Sequence, residues 1–272
     1  MPSACALTDI PATQANMRLP FEIVNGRVYL QARVNGAGPH TFAIDTGASG
    51  LGCADASLKA ALGLEVIGAV RNSDGFMAAC ADTVHPDPLD AGGVVRADLD
   101  VITRDYSSKA PEGAEIAGII GRDVVADGLL VIDFPGRTVS FGRSRSVPAN
   151  TLGALAYERP FRVPVMIGGH LVEANLDTGA GAAMVFPRAL HGTVAGGPLE
   201  AAGQGSLSNT AISLDRGRLL SLVRIGDLAV PDIEVHVPDE FPELFAGAEA
   251  LHRHVLAFDP RTQRAAVCPA RP

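Results

Sequence analysis

The sequence predicts a mostly β protein of two similar lobes with a few short helices. Three observations indicate this class. The tripeptide Asp-Thr-Gly occurs twice, beginning at Asp45 and at Asp177, each time after a strand-turn-strand pattern. A second pattern repeats downstream of each tripeptide. The 272 residues also include 30 glycines and 19 prolines, a content of turn formers that favours short strands.

The first repeated block is a β-hairpin that delivers an aspartate from the end of its second strand. In the first copy, the strand-like residues 28–44 contain an Asn-Gly turn before Asp45. In the second copy, residues 161–176 contain a Gly-Gly turn before Asp177. Both copies continue as Asp-Thr-Gly-Ala.

The second repeated block has a glycine followed twelve residues later by an aspartate. The pairs are Gly121 with Asp133 and Gly247 with Asp259. The two aspartates lie in strand-to-turn sequences, so we expect them to form turns and not to act in catalysis. Because the two blocks are separated by similar distances in both copies, the chain is interpreted as a duplicated unit.

The repeats divide the chain at an irregular segment rich in Pro, Ser and Arg, near residues 143–156. We expect an N-terminal lobe of residues 1–148 and a C-terminal lobe of residues 149–272. Short helical patterns occur at residues 54–62, 122–127, 187–190 and 248–253.

Composition excludes several classes of partner. The net charge of −8 and the absence of a basic run argue against binding to nucleic acid or an anionic membrane. No apolar stretch reaches the roughly 18 residues that span a bilayer. The first 20 residues lack the pattern of a signal peptide.

The scarcity of Lys beside abundant Arg indicates a bacterial source. The periplasm or cell envelope is the expected location, and the cytoplasm is the alternative.

The two tripeptides predict a pair of carboxylates at the lobe interface. If the lobes pack about a pseudo-twofold axis, Asp45 and Asp177 come face to face. Like charges that close cannot both ionise, so the pair would hold one proton and bind a water. One carboxylate could then act as general base and the other as general acid. The residues expected to support the loops are Thr46, Gly47, Ala48, Thr178, Gly179 and Ala180.

On these motifs the sequence resembles the retropepsin-like and pepsin-like aspartic peptidases, in a single-chain bacterial form with two D-T-G-A motifs. In that family an apolar-apolar-Gly segment passes behind the catalytic loop; residues 119–121 match it well and residues 245–247 match it in part. The resemblance implies a bilobal acid-protease fold of the double-ψ β-barrel type. It implies an aspartic endopeptidase with a polypeptide substrate, no cofactor and no metal, acting as a monomer.

The resemblance also implies a glycine-bearing hairpin, or flap, that closes over the substrate. The candidates are residues 72–77, with Gly75 and Phe76 at their centre, and residues 203–206. Ordinary hairpin tips are an equal alternative for both. Neither candidate carries the Tyr of pepsin flaps, so Phe76 is the suggested clamp.

Ala48 and Ala180 mark a departure from pepsin-like members, which generally carry Ser or Thr directly after D-T-G. A hydroxyl there donates a hydrogen bond to the carboxylate and favours its ionised form. We therefore hypothesise an activity optimum less acidic than that of pepsin.

The four cysteines, Cys5, Cys53, Cys80 and Cys268, are scattered. They are interpreted as mostly buried free thiols, with one or two disulfides as the alternative. The resemblance adds that the two chain ends approach each other, which makes Cys5–Cys268 a candidate bridge. His252 and His254 have no third ligand at suitable spacing, so they are not interpreted as a metal site.

Two other functions are weighed. A catalytically silent relative that binds peptides in the same cleft stays open because residues 245–247 match only in part. A β-barrel carrier of small ligands would require both Asp-Thr-Gly motifs to be coincidental turns.

Overall fold

The computed structural model describes residues 3–109, 115–194, 196–226 and 228–270, and within these it is mostly β, as predicted. None of the helices in these ranges is long and apolar enough to cross a membrane. The helices are α1 Ala4–Leu7, α2 Ala56–Leu62, α3 Arg188–Thr193 and α4 Ala248–Leu251, with 3-10 helices at Ser107–Lys109 and Arg122–Val125. Apart from α1 and the first 3-10 helix, they overlap the helical patterns in the sequence.

The strands are short, as the turn formers predict. Those before residue 143 are β1 Met17–Pro20, β2 Glu22–Val24, β3 Arg27–Val34, β4 Ala37–Ile44, β5 Gly52–Asp55, β6 Gly68–Ser73, β7 Ala78–Val84, β8 Leu89–Ala91, β9 Val94–Arg96, β10 Val101–Arg104, β11 Gly118–Ile120, β12 Leu129–Asp133 and β13 Thr138–Gly142. Those after it are β14 Leu155–Ala156, β15 Arg162–Ile167, β16 His170–Asp177, β17 Met184–Val185, β18 Glu200–Ser206, β19 Ala211–Leu219, β20 Val223–Ile225, β21 Leu228–Val230, β22 Ile233–Pro238, β23 Phe245–Gly247, β24 His254–Asp259 and β25 Arg264–Pro269.

Two large sheets share one topology. The N-terminal sheet has the order β6-β7-β10-β5-β11-β4-β3-β8-β9, with β2 added on β3. The C-terminal sheet has the order β18-β19-β22-β17-β23-β16-β15-β20-β21, so each strand has a counterpart at the same position. The repeat in the sequence is therefore a repeat of the whole strand arrangement, which agrees with a two-lobed fold.

A third sheet joins the two halves, with the order β1-β13-β12-β24-β25-β14. Its central strand β12 reads as an unbroken apolar run because both of its faces are covered. Leu130 and Ile132 pack in the main core, which also contains residues of the two large sheets. Leu129 and Val131 face a second core with Ala4 of α1. Successive strand residues point to opposite faces, so alternate side chains of one strand fill two cores.

Residues 143–154, between β13 and β14, form the irregular connection expected there, and the predicted division at residues 148 and 149 lies in it. The connection is held by Asp259, whose carboxylate accepts the Val147 N–H at 2.8 Å and pairs with Arg261. Asp259 also begins the expected turn, since its carbonyl accepts the Thr262 N–H at 3.3 Å, but its carboxylate is fully buried and holds the connection as well. Asp133 does stabilise a turn, because it accepts the Gly136 N–H at 2.8 Å.

Cys5 of α1 and Cys268 of β25 form a disulfide, with their Cα atoms 5.5 Å apart. Cys53 is a partly buried free thiol, and Cys80 is an exposed one. The interpretation of the cysteines as mostly buried free thiols is therefore wrong. The spacing of the cysteines does not predict this pairing, but the Cys5–Cys268 bridge that the resemblance suggested is the one present.

Candidate active site

The two Asp-Thr-Gly loops leave the ends of equivalent strands. Asp45 directly follows β4, and Asp177 is the last residue of β16. A parallel strand lies beside each of these strands: β11 pairs with β4, and β23 pairs with β16. Strand β23, which matches the apolar-apolar-Gly pattern only in part, thus occupies the place of β11, and the registers make its residues 245–247 equivalent to residues 119–121.

The two threonines tie the loops together across the interface. Thr46 Oγ1 donates to the Leu176 carbonyl at 2.6 Å and accepts the Thr178 N–H at 3.0 Å. In the equivalent arrangement on the other loop, Thr178 Oγ1 donates to the Ile44 carbonyl at 2.7 Å and accepts the Thr46 N–H at 3.2 Å. Both threonines are buried. This closed set of four hydrogen bonds fixes each loop relative to the other.

The carboxylate of each Asp-Thr-Gly tripeptide accepts two backbone N–H groups, from the glycine two residues later and the alanine three residues later. Asp45 Oδ1 lies 2.9 Å from both nitrogens. Asp177 Oδ1 lies 2.8 Å from Gly179 N and 3.3 Å from Ala180 N. These donors hold one oxygen of each carboxyl group and leave the other oxygen, Oδ2, for contacts across the interface.

The glycines of the tripeptides are required by the close approach of the opposite carboxylate. A Cβ atom added to Gly47 would lie 2.6 Å from Asp177 Oδ2, and one added to Gly179 would lie 2.4 Å from Asp45 Oδ2. Real Cβ atoms do not come so near to other heavy atoms. The two loops therefore interlock, and their aspartates lie side by side at the interface.

Asp177 is held in an environment that favours its protonated form. Burial is the largest cause, and the neighbouring Asp45 carboxylate adds to it both as a like charge and as a hydrogen-bond partner. The N–H groups of Gly179 and Ala180 act in the opposite sense, but together these effects raise the pKa of Asp177 well above its ordinary value. The pair can thus retain one proton at pH values where an isolated carboxyl group would lose it.

Ala48 and Ala180 offer the carboxylates backbone N–H groups and no hydroxyl. Ser49, the next residue of the first loop, has an exposed side chain.

The first flap candidate is the tip of the β6–β7 hairpin. Asp74 Oδ1 accepts the N–H groups of Phe76 and Met77 at 3.1 and 2.7 Å, which shapes the turn, and Gly75 adopts a φ of +89°. The Phe76 side chain is exposed. A Cβ atom on Gly75 would come within 3.5 Å of the Phe241 ring, so this tip of the N-terminal sheet reaches the C-terminal half.

The second flap candidate is displaced from its predicted place. Residues 203–206 lie within β18, which pairs with β19 and carries a bulge between Ala201 and Gly203. The tip of this hairpin is residues 207–210, where the Leu207 N–H donates to the Thr210 carbonyl at 2.8 Å. The glycines misled the prediction because Gly203 serves the bulge, with a φ of +87°, and not the turn.

The two hairpin tips are bound to each other. The Asn209 N–H donates to Asp74 Oδ2 at 2.7 Å, and Asn209 Nδ2 donates to the Met77 carbonyl at 2.7 Å. Arg104 of β10 donates to Asn209 Oδ1 at 2.6 Å and also hydrogen-bonds Asn72 Oδ1. We call these five residues the tip contact. No sequence pattern predicts this contact, since its members are up to 137 positions apart.

Strand β10 connects the tip contact with the strand that follows the first tripeptide loop. It pairs with β5, where Ile102 lies opposite Cys53 and Arg104 opposite Asp55. Tyr106, two residues after Arg104, donates its hydroxyl hydrogen to Cys53 Sγ at 3.2 Å. Burial raises the pKa of the Cys53 thiol, which favours its protonated form.

A surface group away from the tripeptides has the donor types of a metal site. Ligand atoms of His85, Asp87 and Asp98 lie within 4.8 Å of one another. His85 Nδ1 is 2.8 Å from Asp100 Oδ1, and its Nε2 is 3.5 Å from Asp87 Oδ2. These carboxylates raise the pKa of His85, the hydrogen bond with Asp100 having the largest effect. The contacts with Asp87 and Asp100 account for the position of the imidazole.

Comparison with known proteins finds a family model that matches part of the chain. Residues 30–124 match the family model described as aspartyl protease. The match begins in β3 and includes Asp45, the first flap candidate and β11. No curated protein matches the chain. The resemblance to aspartic peptidases is thereby confirmed, on the evidence of this first segment; Asp177 lies outside the matched residues.

Proposed function

We propose that the chain is an aspartic endopeptidase in which Asp45 and Asp177 together activate a water molecule. The match to the aspartyl protease family supports a peptidase in general terms. The specific assignment rests on one observation: two Asp-Thr-Gly loops interlock so that their aspartates lie side by side, with the pKa of Asp177 raised.

In the proposed reaction, Asp177 carries the shared proton and Asp45 acts as the general base. A water bound between them loses a proton to Asp45 as its oxygen attacks the peptide carbonyl carbon. Asp177 donates its proton to the carbonyl oxygen, giving a neutral tetrahedral diol. The proton on Asp45 then passes to the amide nitrogen, the C–N bond breaks, and a diol proton returns to Asp177. Overall, one water and one peptide bond give one carboxylic acid and one amine.

The fixed backbone donors of the site contribute by holding the carboxylates in place. The N–H groups of the tripeptide loops orient Oδ1 of each aspartate before substrate arrives, so no reorganisation is needed in the transition state. The hydrogen bonds between the two hairpin tips support the proposal that the tip contact is a cover over the bound substrate. We infer that an extended polypeptide enters beneath this cover, with Phe76 near its path.

One chain supplies both loops, so the proposed enzyme is a monomer with lobes 1–148 and 149–272. No cofactor or metal takes part in the proposed steps. The alternative of a silent peptide-binding relative rested on the partial match at residues 245–247. Because β23 occupies the same place as β11, that observation no longer favours it.

The proposal is tested with denatured casein as an unstructured substrate, digested between pH 3 and pH 8 with and without the aspartic-protease inhibitor pepstatin. We expect cleavage that pepstatin inhibits and that Asp45→Asn and Asp177→Asn each abolish. Asp133→Asn is the matched control, since Asp133 only stabilises a turn, and it should cleave at the wild-type rate. Folded wild-type protein with no cleavage at any pH, or cleavage retained in either active-site variant, would refute the assignment.

A further inference from the structure

We propose that Arg27 is a positioning residue for the Asp177 loop, supplied across the interface by the N-terminal half. This inference rests on the proposed function. Arg27 Nε donates to the Gly179 carbonyl at 2.8 Å, although the two residues are 152 positions apart. Arg27 touches no reacting atom; it acts through the backbone of the loop.

The first catalytic loop has a local arginine in the corresponding role. Arg122 follows Gly121 directly, and its Nη1 donates to the Gly47 carbonyl at 3.1 Å. Its backbone N–H also donates to the Ala48 carbonyl at 3.2 Å. The first loop is therefore supported by the segment that lies behind it in the same half of the chain.

The second half has no arginine at the equivalent position. In the sheet registers, Ile120 lies opposite Ile44 and Ala246 lies opposite Leu176, so Gly247 corresponds to Gly121. The residue after Gly247 is Ala248, which has no side-chain donor. Without a substitute, the Gly179 carbonyl would lack the guanidinium that its counterpart has. Arg27 replaces it from the other half.

The turn that carries Arg27 is fitted closely to the second loop. Asn25 and Gly26 have φ values of +49° and +76°, the left-handed values of an Asn-Gly hairpin turn. A Cβ atom on Gly26 would lie 2.6 Å from the Gly181 carbonyl oxygen, and one on Gly181 would lie 2.6 Å from the Asn25 carbonyl oxygen. Backbone packs on backbone, which fixes the direction from which Arg27 reaches the loop.

The bond from Arg27 acts on the same peptide group that holds the catalytic carboxylate. The Gly179 carbonyl and the Ala180 N–H belong to one planar trans peptide, so they point in opposite directions. The oxygen accepts from Arg27, while the N–H donates to Asp177 Oδ1 at 3.3 Å. A charged donor on one side orients and polarises the donor on the other. The peptide between Gly47 and Ala48 is placed in the same way between Arg122 and Asp45.

The test compares Arg27→Met and Arg27→Lys with the control Arg33→Met. Arg33 is on the same strand, but its guanidinium contacts only the exposed turn carbonyls of Gly36 and Gly38. The first readout is the titration of the paired aspartates, followed by ¹³C NMR of protein labelled at the Asp carboxyl carbons. This readout needs no activity, so it separates failure of the positioning role from failure of the proposed function.

In Arg27→Met, the hydrogen bond from the Ala180 N–H to Asp177 Oδ1 should weaken. Because that bond favours the ionised carboxylate, the upper pKa of the aspartate pair should rise by about half a unit. The kcat for casein should fall about tenfold with KM within twofold of wild type. Arg27→Lys, which restores a charged donor, should recover part of both effects, and Arg33→Met should show neither. A folded Arg27→Met protein with wild-type titration would overturn the proposal. If Arg27→Met does not fold, Arg27→Gln, which removes the charge, takes its place, and a folded Arg27→Gln protein with a wild-type titration would do the same.

Discussion

Thr46→Val is the most informative single change in the interlocked loops. Valine has nearly the shape of threonine, so the substitution removes the hydroxyl and leaves the packing. Two hydrogen bonds are lost: the one from Thr46 Oγ1 to the Leu176 carbonyl at 2.6 Å and the one it accepts from the Thr178 N–H at 3.0 Å. Thr46 is 1% exposed and Thr178 is fully buried, so water cannot replace either bond.

The expected loss of stability comes from the Leu176 carbonyl and the Thr178 N–H, which would stay buried without a hydrogen-bond partner. An unsatisfied buried donor or acceptor costs about 1–3 kcal/mol, so the two together should lower the free energy of unfolding of Thr46→Val by about 2–6 kcal/mol. The assay is urea unfolding followed by circular dichroism at neutral pH. Thr46→Ser keeps the hydroxyl and should lose less than about 1.5 kcal/mol. A Thr46→Val protein within about 1 kcal/mol of wild type would refute the account of the interlocked loops.

Three further outcomes are expected. Ala48→Ser places a hydroxyl where it can donate to the Asp45 carboxylate, so the acidic limb of casein cleavage should move about half a unit lower; an unchanged limb would remove the reason given for a less acidic optimum. Asn209→Ala breaks the side-chain bonds of the tip contact, so pepstatin should associate several-fold faster in stopped-flow measurements, whereas Thr210→Ala, the control, should bind as wild type; equal rates would show that the tip contact does not limit entry. Because the pKa of Asp177 is raised in the folded chain, folding binds a proton that the unfolded chain releases above about pH 4, so the free energy of unfolding should fall as pH rises from there through the folded-state pKa. Asp177→Asn should flatten this fall, and a slope equal to that of wild type would contradict it.

The fold class and the paired loops could be predicted because both depend on local pattern. A duplicated hairpin followed by Asp-Thr-Gly-Ala is visible in sequence, and its spacing requires no knowledge of packing. The helix at residues 56–62 is equally local: Asp55 caps its first turn by accepting the Ser57 N–H, and Gly63 ends it with a φ of +61°.

The features that were missed depend on contacts between distant residues. Asn209 and Arg27 look like ordinary turn and strand residues until the two halves meet. The prediction of a hairpin tip at Gly203 is wrong because a glycine with positive φ serves a bulge as well as a turn. The turn predicted at Asp259 is present, but only the packed chain shows that its carboxylate also binds Val147 and Arg261. Partner choice of this kind is set by the topology of the sheets and not by spacing along the chain.

The central claim is that Asp45 and Asp177 act as one catalytic unit that shares a proton. The most direct measurement compares the rates of casein cleavage by Asp45→Asn, Asp177→Asn and the double variant at the optimum pH of the wild type. Groups that act as a unit are non-additive, so the three variants should have equal residual rates within a few-fold. Contradiction would come from a double variant that is slower by the product of the two single losses, or from a single variant that keeps more than about a tenth of the wild-type rate.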